Sequence, residues 1–132
     1  MENRNRGEAD TVTFDLDAAG PRIEHFSGPG YRGCRLVGEI DFTSSGPIQS
    51  TLLSLILPGG GAVVADLSGV TFLDSSGLGV LVQAHRTAVE RGNQLVVVAS
   101  PPVRKLLRLT GLDSVLETYD ELPDAESALA QA

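Results

Sequence analysis

Two adjacent serines, Ser75 and Ser76, directly preceded by the carboxylate of Asp74, are the side chains best placed to do chemistry. They fall where a buried apolar strand runs out and a helix begins, and in open α/β sheets ligand and partner sites gather on that rim. As a nucleophile, a serine there needs a base within about 3 Å. His85 lies ten residues further along the same helix, about 15 Å away, so that pair fails. No spacing ties His25 to Ser75. As an N-cap, the hydroxyl accepts from one of the first amides of the helix. As a phosphate acceptor, it gains about −1.5 to −2 charges, tolerated by the same amides and by the positive end of the helix dipole. The residues alone leave cap and acceptor both open.

Other chemistry is sparse. There is no Gly-x-x-x-x-Gly-Lys-Ser/Thr loop and no Gly-x-Gly-x-x-Gly fingerprint, and Gly59-Gly60-Gly61 precedes a strand, so it reads as a turn. His25, His85 and Cys34 are too few and too scattered for structural zinc. The lone Cys34 cannot form an internal disulfide, which fits a reducing cytosol. Seventeen acids against ten bases leave −7, the opposite of the Lys/Arg surplus that a nucleic-acid backbone requires. Six of those acids and no base fall between 113 and 132, so the rest is near neutral and the C-terminal segment reads as a solvated face. No apolar run approaches the roughly 18–20 residues that span a bilayer. The opening MENRNRGEAD lacks the apolar stretch of a secretory signal, and a cytoplasmic location is expected.

The elements that must position the serines follow from periodicity. With 132 residues, 42% apolar and 20% charged, the chain has the size and make-up of one globular domain. Residues 1–10 are polar and expected to be flexible, with the domain at 11–132. Residues 11–17 alternate, Val12, Phe14 and Leu16 on one face. The Gly/Pro-rich stretch 18–33 reads as loop around a short strand at 23–26, and 34–37 as a strand. A helix is predicted from Ser44-Ser45-Gly46-Pro47 to about 57, since proline is tolerated in a first turn. Runs at 62–67 and 94–99 are near-continuously apolar, as strands covered on both faces are. Between them Leu78, Leu81, Val82, His85 and Val89 recur at helical spacing up to Gly92. From Pro101-Pro102 to Gly111 a short helix carries Val103, Leu106, Leu107 and Thr110 on one face and Arg104, Lys105 and Arg108 on the other. A strand at 115–119 and a helix at 123–130 complete the chain. Such alternation implies parallel strands with right-handed crossovers: an α/β domain with a mostly parallel four- to five-stranded sheet and about four helices.

Against that background, Asp74-Ser75-Ser76-Gly77-Leu78-Gly79-Val80, preceded by Asp66-Leu67-Ser68-Gly69-Val70-Thr71-Phe72-Leu73, resembles the STAS-domain anti-sigma factor antagonists. Leu36-Val37-Gly38-Glu39-Ile40-Asp41 is similar to the family's Gly-Glu-Leu-Asp signature, with Ile for Leu. Val96-Val97-Val98-Ala99, Pro101-Pro102-Val103-Arg104-Lys105-Leu106-Leu107 and Leu109-Thr110-Gly111-Leu112-Asp113 agree with its later strand, helix and turn. The likeness runs from about residue 35 to the C-terminus and implies a single STAS domain.

It also implies partner switching. The unphosphorylated antagonist binds an anti-sigma factor that is also a serine kinase, which releases a sigma factor. Phosphorylation dissociates the complex, and a separate serine phosphatase resets it. The resemblance makes Ser75, the serine directly after the aspartate, the acceptor, with Ser76 as its structural neighbour. It implies a partner-binding rim of Asp41, Asp74, Ser75, Ser76, Gly77 and Leu78, with Asp41 beside Ser75. The chain itself would not be an enzyme and would hold no cofactor, the ATP belonging to the kinase. No metal, nucleic acid or membrane is expected as a partner. The family also includes scaffold and ligand-sensing modules without a phosphorylation cycle, the alternative reading. Two features depart from the family pattern. The helix after Asp41 opens on Phe42-Thr43-Ser44-Ser45-Gly46-Pro47, poor in helix formers, so a displaced start is expected. The region before Cys34 is longer and richer in Gly and Pro than in a minimal member.

Overall fold

The computed structural model describes residues 13–15 and 21–131. Its elements run β1 (Thr13–Asp15), β2 (Arg22–Gly28), β3 (Tyr31–Ile40), α1 (Phe42–Ile56), β4 (Ala62–Leu73), α2 (Ser75–Glu90), β5 (Gln94–Ala99), α3 (Pro101–Thr110), β6 (Glu117–Tyr119) and α4 (Leu122–Ala130). The six strands lie side by side in chain order. The β1–β2 and β2–β3 pairs are antiparallel, and β3–β4, β4–β5 and β5–β6 are parallel. The α/β class, the mostly parallel sheet and the four helices agree with the sequence reading.

The N-terminal hairpin is the addition. Pro29-Gly30 makes a two-residue turn, and β2 pairs along its length with β3, from Arg22↔Val37 to Gly28↔Tyr31. The expectations for residues 1–10, and for the side chains of Val12, Phe14 and Leu16, lie outside the described residues. The backbone of β1 pairs with β2 from Thr13↔Glu24 to Asp15↔Arg22.

Side-chain alternation divides β4 between two cores. Val63, Ala65 and Leu67 face one, and Ala62 and Val64 face the other. The larger core is roofed by α1 (Ile48, Leu52, Ile56), α2 (Leu81, Ala84, Ala88) and α3 (Val103, Leu107). In the smaller one, Val64, Val96 and Val98 lie under Ala125 of α4, and the Tyr31 hydroxyl donates to Glu126 at 2.5 Å. Helices on both faces explain why β4 and β5 read as unbroken apolar runs. Asp66, 1% exposed, is the charged exception on β4. It accepts from Arg35 Nε at 3.1 Å and from the Ser68 N–H at 2.9 Å. Arg35 in turn lies over the Phe26 ring, 5.3 Å from its centroid.

Helix α1 starts two residues earlier than its composition suggests. The Asp41 carboxylate accepts from the Thr43 N–H at 2.9 Å, and the Ser44 hydroxyl accepts from the Asp41 N–H at 3.1 Å. A cap of this kind contributes about 1 kcal/mol. That does not offset the roughly 3 kcal/mol that an interior proline costs a helix, here Pro47. Burial decides instead: Ile48, Leu52, Leu55 and Ile56 are all buried, each contributing about 1.5–3 kcal/mol. Leu52→Ala is therefore expected to lower the unfolding free energy by about 2–5 kcal/mol, read as a shift of the denaturant midpoint. A loss below about 1 kcal/mol would mean that this core does not hold α1.

Candidate functional site

Strands β3 and β4 end in register. Ile40 pairs with Leu73, and the Asp74 N–H donates to the Ile40 carbonyl at 3.2 Å. To reach that point β4 uses two more residues than β3, through register shifts between Arg35 and Val37 and between Gly38 and Glu39. Gly38 has φ 109, which side-chain-bearing residues rarely adopt, and so the turn of the ladder falls on a glycine. Beyond the Leu67↔Ala99 pair β4 leaves β5 behind. There the buried Ser100 hydroxyl donates to the Val70 carbonyl at 2.6 Å, a bond that a neighbouring strand would otherwise supply.

Just past the paired ends, two aspartates cap two adjacent helices in the same way. Asp41 Oδ1 accepts from the Thr43 N–H at 2.9 Å and from the Thr43 hydroxyl at 2.6 Å. Asp74 Oδ1 accepts from the Ser76 N–H at 2.9 Å, the Ser76 hydroxyl at 2.6 Å and the Gly77 N–H at 3.1 Å. The N-cap of α2 is therefore Asp74, not a serine, and the capping alternative for Ser75 and Ser76 is removed. The same bonds take the Ser76 and Gly77 amides that the sequence reading offered to a phosphate.

The remaining expected residues separate by role. Ser75, at the first helical position, is exposed, and its hydroxyl has no hydrogen-bond partner among the described residues. Ser76 is half-buried and engaged. Gly77 is buried because a Cβ there would lie 2.3 Å from Leu73 Cδ1 and 3.2 Å from Ile40 Cγ2. Leu78 is half-buried and packs against the larger core. Asp41 stands one residue beyond Ile40 and Asp74 one beyond Leu73, which sets the two carboxylates on neighbouring chain ends.

Two residues went unnoticed at the sequence level. Phe42 is 79% exposed and occupies on α1 the position that Ser75 occupies on α2; Phe72 is 49% exposed near the end of β4. An aromatic directly after a capping aspartate was the available signal for Phe42. Among the described residues, the rim's charges are all negative. Glu39, Asp41 and Asp74 stand there, α1 has no charged residue, and α2 has none before His85. The Asp74 carboxyl is held below the usual carboxylate range, first by the Ser76 hydroxyl and, against some desolvation, by the backbone amides of Gly77, Ser76 and Phe42.

The other reactive types lie elsewhere. His25 pairs across the hairpin with Cys34, far from the paired ends. Burial pushes the Cys34 thiol up to about 12, too high to form thiolate near neutrality. On α3, Arg104 is paired with Asp120, and Lys105 and Arg108 are exposed. No helix among the described residues is long and apolar enough to cross a membrane.

Known proteins resemble this chain in sequence and fold. Residues 29–125 match the STAS domain family. Over 97 residues the chain is 31% identical to an anti-sigma F factor antagonist of Paenibacillus polymyxa, covering 72% of this chain and 83% of that one. An anti-sigma factor antagonist from Mycobacterium paratuberculosis superposes with a TM-score of 0.76 at 28% identity, over 86% of this chain and 97% of that one. The Bacillus cell fate determinant SpoIIAA in its phosphorylated form shares the fold, with a TM-score of 0.62 at 20% identity over 80% of this chain and 98% of that one. The chain belongs to the STAS-domain family, among its anti-sigma factor antagonists.

Two stability measurements check the site's construction. Gly77→Ala is expected to cost about 1–3 kcal/mol by overpacking against Leu73 and Ile40. Gly79→Ala, two residues on with open space around its Cβ, should be neutral or stabilising by up to about 1 kcal/mol. Equal effects would contradict the packing. The Asp74 cap gives a pH signature as well. A folded-state value below the unfolded one adds stability that is present above the unfolded value and is lost as pH falls through the depressed one. Asp74→Asn keeps a capping side chain but not the ionisation, and should flatten the acid side of a Tm-against-pH curve.

Proposed function

We propose that this antagonist, with Ser75 unmodified, binds an anti-sigma factor that is also a serine kinase and so releases a sigma factor. Phosphorylation of Ser75 ends the binding. The observation that carries the reading is the state of the Ser75 hydroxyl: exposed, without a hydrogen-bond partner among the described residues, and flanked by the capped carboxylates of Asp74 and Asp41. The phosphorylated form of SpoIIAA, a protein of the same fold, is consistent with it.

The chemistry asks little of this chain. The kinase, which binds the ATP, transfers the γ-phosphoryl group to Ser75 Oγ as the hydroxyl proton leaves, giving ADP. A phosphatase adds water across the ester and releases inorganic phosphate. The antagonist only presents the hydroxyl, and both partners place it in the cytoplasm. Its binding surface joins Phe42 and Phe72 to Glu39, Asp41 and Asp74, which suits a partner face with an apolar pocket bordered by cations. Phosphate adds a dianion to that face. One like-charge contact of 4 Å in a half-desolvated interface is worth roughly a thousandfold in Kd, so no refolding is needed for release.

Incubation with the candidate kinase and ATP, followed by mass mapping, is expected to place one phosphate on Ser75 and none on Ser75→Ala. Ser75→Ala should hold the kinase constitutively, and Ser75→Asp should bind more weakly. Phosphate on Ser76 alone would refute the choice of acceptor, and no phosphate at all would favour a scaffold or ligand-sensing role. Phe42→Ala should weaken kinase binding by at least about tenfold, as a buried aromatic anchor does, with the Tm unchanged because the ring is exposed in the free protein.

A further inference from the structure

Among the described residues, no cationic side chain stands where a phosphate on Ser75 could rest on it. The two amides at the start of α2 that would receive it, those of Ser76 and Gly77, already donate to Asp74 Oδ1 at 2.9 and 3.1 Å. The helix dipole does not make up the difference. A helix N-terminus carries about +0.5 charge, so the ends of α1 and α2 together offer about +1 against the two full negative charges of Asp41 and Asp74. Asp74 stays ionised throughout the neutral range, because the Ser76 hydroxyl and the surrounding amides favour its charged form.

The elements packed around Ser75 supply no cation. Helix α1 has no charged side chain, and β4 has none from Gly69 to Leu73. At the end of β3 stand Glu39 and Asp41, and on α2 the first titratable group is His85. Helix α3 packs on β4 through Val103 and Leu107, with its cations on the opposite face. Arg104 there is turned to Asp120 beyond β6, and Lys105 and Arg108 point to solvent.

We infer that a phosphate on Ser75 stands in solvent as the fourth anion of an acidic rim, beside Glu39, Asp41 and Asp74, with no cation among the described residues to compensate it. Asp74 and Asp41 raise its second ionisation toward neutrality, and the off state of the switch is therefore graded by pH. The inference rests on Ser75 as the acceptor. An ordinary phosphoserine has the midpoint of its second ionisation near pH 6. Two carboxylates within one or two side-chain lengths, screened by about 0.1 M salt, move that midpoint up by about half a pH unit or more. The sign follows directly. As pH falls from 8 toward 6, the modified chain takes up its proton earlier than a free phosphoserine, the dianion becomes a monoanion, and the charge that repels the partner shrinks. An acid shift would then return part of the phosphorylated pool to binding without any phosphatase.

The test needs no partner. Phosphoserine is placed at position 75 of the full chain during translation, and its midpoint is read by phosphorus NMR between pH 4.5 and 9. A peptide of residues 71–80 with phosphoserine at 75 and the Asp74→Asn change is the reference. The folded chain should titrate above the peptide. Its midpoint should fall by a few tenths with Asp74→Asn and again with Asp41→Asn, and the elevation should shrink between 20 and 500 mM salt. Asparagine caps helices as well as aspartate does, and circular dichroism confirms that both variants are folded. A midpoint at or below that of the peptide would mean that the phosphate displaces Asp74 and takes the Ser76 and Gly77 amides, and the inference fails. It fails equally if the midpoint is raised but neither asparagine variant moves it. Either failure leaves kinase binding to unmodified Ser75 untouched, while loss of that binding would leave the titration unchanged.

Discussion

The hydrogen bond from the Asp74 N–H to the Ile40 carbonyl closes the β3–β4 ladder, and the functional rim depends on it. It sets two chain ends at strand spacing, so that the next residue of each, Asp41 and Asp74, caps a helix beside the other. The ladder reaches that bond through two register shifts on β4. A single inserted residue would turn every later side chain to the opposite face. Two restore the original facing. Leu67, Val70 and Leu73 accordingly enter the core at intervals of three rather than two. Each interval leaves a pair of residues, Ser68-Gly69 and Thr71-Phe72, outside the core. The exposure of Phe72 is thus a consequence of the irregularity that aligns Asp74 with Asp41.

This also explains what the sequence could reveal. Periodicity and apolar runs were enough for β5, α2, α3 and the α/β order, because β5 is covered on both faces and the two helices keep a regular apolar stripe. The strand reads from the sequence only as 62–67, short of Leu73, for the reason just given: a spacing of three breaks the alternation of a strand. The hairpin was hidden by Gly28, Pro29, Gly30 and Gly33, which suggest loop by composition. Gly33 nonetheless lies within β3, where a Cβ would come 2.8 Å from the Phe26 ring and from the Val64 carbonyl. The start of α1 escaped because local propensity disfavours it, and only the burial of Ile48 and Leu52 against the sheet overrides that preference. Asp74 and Ser75 were legible as a pair, but which of them caps was not. Capping is decided by where the strand stops, a tertiary fact.

The fold also disposes of groups that look reactive in isolation. Cys34 faces the larger core with no exposed surface, and burial, with the charge of Asp66 adding to it, keeps its thiol protonated. Asp66, the most buried acid, has its two oxygens shared between Arg35 and the Ser68 amide. His25 lies on the hairpin and His85 along the length of α2. What remains free is concentrated at one end of the sheet.

Within that end, the hydroxyls differ in one respect that matters for a reversible modification. Thr43 donates to Asp41, Ser44 donates to the Asp41 carbonyl while accepting from the Asp41 amide, Ser45 donates to the Phe42 carbonyl, and Ser76 donates to Asp74. Esterifying any of these would remove a bond that helps to start a helix, and the modified state would carry a cost in stability. Ser75 makes no such bond among the described residues. It stands exposed at the first helical position, and its loss to a phosphate ester subtracts nothing from the caps. The same arrangement keeps the Ser76 and Gly77 amides with Asp74 rather than with a phosphate. Modification at this position therefore leaves the caps intact and changes the charge that the rim presents to another protein.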